Sequence, residues 1–171
     1  MTALCLRPLL TRLEKYTTVF KFKLPFFSRD QGVLLEMLSG HTIVCGYGVV
    51  GQRIVETLLE HGIKFVIVEY DHEVAKKSIE KGYTVIEGDA TSSHVLKNAG
   101  VATAKAIAIA MDNDAKNLFA VLTARDMNKN IFIATRANDR LVREKMIEAG
   151  ADYIVMPQNS ASDEIVAEIT K

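Results

Sequence analysis

A Gly-x-Gly-x-x-Gly turn, Gly46-Tyr47-Gly48-Val49-Val50-Gly51, set between an apolar run and an amphipathic stretch, constrains this chain more than any other feature. Thr42-Ile43-Val44-Cys45 reads as a strand, while Val50, Ile54, Val55, Leu58 and Leu59 form one stripe of a helix that Gly62 would end. A strand, a glycine turn and a helix in that order open a Rossmann unit and predict a nucleotide pocket. Gly46 permits the tight turn, Gly48 admits a pyrophosphate close to the backbone, and Gly51 lets the helix sit close on the sheet. The helix N-terminus, with unpaired N–H groups and the positive end of its dipole, then faces the phosphates.

Glu69 follows the apolar run Phe65-Val66-Ile67-Val68, which places a carboxylate at the end of the second strand, where it can accept from ribose hydroxyls. A free carboxylate there disfavours the extra phosphate of NADP. NAD(H), ATP, ADP and AMP remain as ligands. The competing reading is a turn that keeps its shape and binds nothing.

From His41 onward, short apolar runs alternate with helical patterns, which predicts an α/β fold: a Rossmann-like, doubly wound, six-stranded parallel sheet with helices on both faces. The strands are expected near 42–45, 65–68, 84–86, 106–110, 131–134 and 153–155. The helices are expected near 50–61, 72–81, 92–99, 114–127, 139–149 and 160–170. Gly62, Gly82, Gly100 and Gly150 fall just past helix ends, where a left-handed residue is favoured.

Residues 1–40 differ from this domain of 41–171. Arg7, Arg12, Lys15, Lys21 and Lys23 interleave with Phe20, Phe22, Phe26 and Phe27, and Pro25 interrupts the segment. A helical or extended segment of this kind can lie on a membrane surface or pack on a partner, and its weak amphipathicity favours packing. Gln31 to Leu38 suits a short helix leading into the domain.

Charge and cysteine content narrow the function. Lys and Arg total 21, as do Asp and Glu, so no net field favours nucleic acid. Cys5 and Cys45 are far apart in sequence, which suits a reducing, cytoplasmic setting. The sequence contains no apolar run of transmembrane length, and residues 1–24 lack the pattern of a signal peptide.

Three further segments fall at the same sheet edge as the glycine turn. In Glu87-Gly88-Asp89-Ala90-Thr91, Asp89 can accept from an adenine amino group or a ribose hydroxyl, while Thr91 reads first as a helix N-cap. In Met111-Asp112-Asn113-Asp114, Met111 suits an adenine face or the core, and Asp114 reads as a cap. These polar residues are too few for a calcium loop, and no metal is expected. Arg136 offers either a charge-assisted contact to a pyrophosphate or a pair with Glu144 or Asp139. The four histidines fall in no catalytic motif, and a dehydrogenase would need a second, substrate-presenting domain, so no enzyme is expected.

The residues HTIVCGYGVVG with Glu69, the segment EKGYTVIEGDATSSHVLKNAGVATAKAIAIAMDNDAKNL and the closing EAGADYIVMPQNSASDEIVAEI resemble the RCK, or TrkA-N, domains that regulate potassium channels and transporters. The resemblance implies nucleotide contacts at Gly46, Tyr47, Gly48, Val49, Val50, Gly51, Glu69, Asp89 and Ala90, with Met111 and Asp112 beside them. It implies a homodimer or a higher ring such as an octamer, coupled to a membrane-embedded potassium pore at the cytoplasmic face of the cell membrane. Residues 1–40 become a connector, and Ser160 to Thr170 a crossover helix exchanged between partners. Arg136 and Asn138 stand where calcium-gated relatives carry carboxylates, so gating of that type is not expected. Two other functions compete with this one: a small NAD-dependent oxidoreductase or isolated cofactor lobe, and a structural assembly module with a vestigial pocket.

Overall fold

The computed structural model describes residues 39–171, so the expected helix Gln31–Leu38 and nearly all of the connector lie outside the described residues. Within them strands and helices alternate strictly: β1 Thr42–Cys45, α1 Val49–Glu60, β2 Phe65–Glu69, α2 His72–Glu80, β3 Val85–Glu87, α3 Ser93–Asn98, β4 Ala106–Ile109, α4 Asp114–Met127, β5 Phe132–Arg136, α5 Arg140–Glu148, β6 Tyr153–Val155 and α6 Pro157–Ile169. The strands form one parallel sheet in the order β3-β2-β1-β4-β5-β6.

The alternation of side chains along β1 explains why this sheet is covered on both faces. Ile43 and Cys45 point into a core completed by Leu96 of α3 and Val121 of α4, whereas Val44 points into one completed by Val55 of α1 and Ala75 of α2. Burial in the first core raises the Cys45 thiol pKa far above its ordinary value, so Cys45 serves as a small apolar residue. Gly62, Gly82, Gly100 and Gly150 all adopt positive φ past helix ends. No helix among the described residues is long and apolar enough to cross a membrane.

Most predicted spans lie within one or two residues of those observed. The largest shift is in the closing helix, which begins at Pro157 rather than Ser160. Proline suits the first helical position because the N–H it lacks would have no partner there.

Two features of the topology place a crevice. The chain leaves β1 to one side for β2 and β3, then returns to the other side for β4. Strands β2 and β4 therefore flank β1 in register, with Cys45 opposite both Val68 and Ile109. The loops that leave the carboxyl ends of β1 and β4 must diverge, which opens a crevice where doubly wound sheets bind their ligands.

Candidate nucleotide-binding crevice

The three glycines of the turn answer to three different constraints. Gly46 has φ +87°, and a Cβ added to it would lie 3.1 Å from Cγ of Met111, so the turn packs directly against the loop that leaves β4. Gly51 is buried in α1, and its Cβ would stand 1.9 Å from the carbonyl oxygen of Gly46, an impossible approach to backbone. Gly48 is the N-cap of α1 with φ −72° and ψ −163°, a conformation open to any residue, and nothing lies within 4 Å of where its Cβ would be. The backbone therefore does not require glycine at 48.

The α1 N-terminus, like those of α3 and α6, has no side-chain cap, but it alone of the three opens from the glycine turn. Side chains of Asp71, Asn113 and Asp139 cap α2, α4 and α5, but no side chain caps α1 and its first turn holds no acid. Uncapped N–H groups at the positive end of a helix dipole favour an anion. Val49 and Val50 provide the first of these groups, and the Val49 side chain is 89% exposed.

The carboxylate of Glu69 reaches this turn. Its Oε2 accepts from the Tyr47 N–H at 2.6 Å and its Oε1 from the Asp71 N–H at 2.8 Å. Each oxygen keeps a second lone pair for a ribose hydroxyl. Tyr47 itself turns inward: its ring is buried edge-on to Tyr83 at 6.1 Å, and burial pushes the phenol up to about 12. Its backbone is held within the turn, the N–H by Glu69 and the carbonyl by Gln52 Nε2 at 3.2 Å. Ala90 likewise turns its side chain into the core.

Asp89 lies beyond β3, near this edge. Its Oδ1 accepts from the Thr91 N–H at 2.9 Å and the Thr91 hydroxyl at 2.8 Å, while Lys116 Nζ lies 3.2 Å from Oδ2. The Thr91 N–H foremost, then its hydroxyl and Lys116, hold the Asp89 carboxyl below the ordinary carboxylate range against the opposing effect of burial. Thr91 is therefore not the expected N-cap, since α3 starts after Ser92 and the Thr91 hydroxyl is committed to Asp89.

The β4 and β5 loops are joined by polar side chains. Asp114 is not a cap either. Asn113 caps α4 through the Lys116 N–H, and Asp114 accepts from the N–H groups of Asn138 and Asp139. Arg136 pairs with neither Glu144 nor Asp139. Its Nη1 donates to Asp112 and its Nη2 to Asn138, both at 2.9 Å, and its side chain is only 17% exposed. Asn117, fully buried, donates to the Met111 and Arg136 carbonyls. Gly46, Gly48, Glu69, Asp89, Met111 and Arg136 thus all fall at the carboxyl edge of the sheet. Lys116, Asn117 and Tyr70 stand at this edge without belonging to any sequence motif, and Lys116 meets Asp89 only through the fold. The only signal for Asn117 was a polar residue inside an otherwise apolar helical stripe. Among the described residues no cluster of His, Cys, Asp and Glu is arranged to hold a metal ion.

Comparison with known proteins agrees with this arrangement. Potassium channel protein 1 of Methanocaldococcus jannaschii is 38% identical over 125 residues, which cover 72% of this chain and 38% of that protein. The chain therefore spans well under two thirds of the length of this relative. The crystal structure of the TrkA-N domain of inner membrane protein ybaL from Escherichia coli superposes with a TM-score of 0.74 at 25% identity, covering 77% of this chain and 97% of that one. The GsuK channel bound to NAD superposes with a TM-score of 0.65 at 26% identity, covering 70% of this chain and 22% of that one. The TrkA-N domain family model matches residues 42–157, more than half of the sequence, and the chain therefore belongs to the TrkA-N, or RCK, domain family.

Proposed function

We propose that this chain is the nucleotide-binding regulatory lobe of a potassium channel or transporter and that it carries no catalytic activity of its own. The observation that carries this reading is Gly48, a glycine that the protein's own backbone does not need, at the mouth of an uncapped helix. An adenine nucleotide, NAD(H) foremost and ATP, ADP or AMP otherwise, places its phosphates at the N–H groups of Gly48, Val49 and Val50. Its ribose lies at Glu69 and its base near Asp89, with Met111, Asp112 and Arg136 on the far side of the crevice. The NAD in the similar GsuK structure supports a dinucleotide.

Regulation requires that the ligand favour one assembled shape over another, because only differential affinity shifts an equilibrium. Exposed apolar residues support assembly: Phe119 and Leu122 on α4, Leu141 on α5, Ile165 and Ile169 on α6 stand open to solvent in one copy of the chain. A second copy covers them in a homodimer, and dimers build a ring beneath a potassium pore at the cytoplasmic face of the membrane, with residues 1–40 as the connector. Thermal-shift titration with NAD, NADH, ATP, ADP and AMP, together with mass measurement in solution, tests this function. No stabilisation by any nucleotide, in a protein that stays monomeric at high concentration, would refute it; turnover of reduced nicotinamide would favour an oxidoreductase instead.

A further inference from the structure

Lys116 lies in the first turn of α4, after β4, yet its ammonium reaches two residues on the other side of β1. It stands 3.2 Å from Oδ2 of Asp89, beyond β3, and 5.0 Å from the ring centroid of Tyr70, beyond β2. With β1 between β2 and β4 in the sheet, this one side chain joins the two halves of the carboxyl edge. Its backbone has no slack, since its N–H is fixed to Oδ1 of Asn113 at 2.9 Å.

The two groups that Lys116 engages are the two that a purine base needs. Tyr70 is 70% exposed and offers an aromatic face for stacking. Asp89 offers an acceptor for an exocyclic amino group, and of its two oxygens only Oδ2 is free of Thr91. The lysine holds both, as a cation over a ring and as the partner of a carboxylate.

We infer that Lys116 occupies the base end of the crevice: it fills the seat between Tyr70 and Asp89, and an incoming adenine must displace it. This inference rests on the nucleotide reading above and adds that a side chain of the protein competes with its ligand. Displacement frees a side chain anchored in the first turn of α4, so occupancy of the seat is felt at the start of the longest described helix.

The test uses the full chain and two probes, adenosine and AMP, titrated into wild type, Lys116→Ala, Lys116→Arg and Gly48→Asp by calorimetry or NMR chemical shift. Adenosine has no charge, so loss of the lysine cannot weaken it through phosphate attraction. Lys116→Ala is expected to bind adenosine about fivefold more tightly, the effect of removing one partly exposed ion pair and one cation–π contact. Lys116→Arg, which keeps the cation, should stay near wild type. Unchanged or weaker adenosine binding in Lys116→Ala overturns the inference, as does weaker AMP binding with adenosine unaffected, which makes Lys116 a phosphate contact. If wild type binds and Gly48→Asp does not, the nucleotide reading survives whatever Lys116→Ala does. If neither wild type nor Lys116→Ala binds either probe, the inference fails, while the nucleotide reading fails only if NAD, NADH, ATP and ADP also leave the protein unstabilised.

Discussion

Glu69 Oε2 accepts the backbone N–H of Tyr47 at 2.6 Å, which fastens the acid at the end of β2 to the middle of the glycine turn. Its other oxygen holds the Asp71 N–H, so one carboxylate organises two chain segments. Glu69→Ala should therefore weaken the fold as well as the site. Removing the acceptor of a largely buried N–H costs about 1–3 kcal/mol, which chemical denaturation should register as a lower midpoint with an unchanged slope. Equal stability of variant and wild type would mean that water replaces the carboxylate without loss.

Gly48 and Gly51 belong to one motif but should respond to substitution in opposite ways. Gly48→Asp leaves φ and ψ in an extended region, meets no atom, and adds a good N-cap to α1. The variant should melt at or slightly above the wild-type temperature yet lose nucleotide binding by tenfold or more on the order of a charge repulsion at short range. Gly51→Ala puts a Cβ into the Gly46 carbonyl and should unfold the domain or lower its melting temperature steeply. Circular dichroism melts with and without NAD separate the two behaviours.

Asp89 gives the site a dependence on acid. Its folded carboxyl is held below the ordinary value of about 3.9, so it stabilises the fold above that value and the contribution is lost as pH falls through the lower, folded value. Melting temperature should therefore fall below about pH 4 in wild type. Asp89→Asn should be less stable near neutral pH and show a shallower fall in acid. Parallel acid limbs for the two proteins would remove Asp89 as a cause.

Asn117 is fully buried and its Nδ2 serves the carbonyls of Met111 and Arg136, which lie in the loops after β4 and β5. Asn117→Leu keeps the branched heavy-atom skeleton and removes the donor, leaving two carbonyls without it. A loss of about 1–3 kcal/mol is expected. Hydrogen exchange should speed up at residues 111–113 and 136–138 while β1 and β2 stay protected. Uniform acceleration across the sheet would instead point to a general packing defect.

The legible part of this fold was the part written in local periodicity. Strands such as Phe65–Glu69 and helices such as Val49–Glu60 announce themselves through apolar spacing and a terminal glycine, and both came out within a residue. Caps were harder, because adjacent polar residues compete for one role. Thr91 stands beside Ser92 and Asn113 beside Asp114, and the register at which the helix starts decides between them. Side-chain direction was not legible at all. Tyr47 lies between two glycines of a ligand turn, yet its ring is drawn into the core by Tyr83, a partner far along the chain. Arg136, at the end of β5, found Asp112 across the sheet edge rather than an acid of the helix that follows it, for the same reason.

The strand order has a consequence for biosynthesis. β1, β2 and β3 are neighbours in both sequence and space, so the first half of the sheet can assemble as it leaves the ribosome. β1 then keeps one side unpaired until β4 is made, and Gly46 waits as long for Met111. The whole glycine signature is thus translated early, but the crevice that gives it meaning closes only after a long-range pairing. A nascent chain stopped near Gly100 would carry the fingerprint without the β4 side of its binding place.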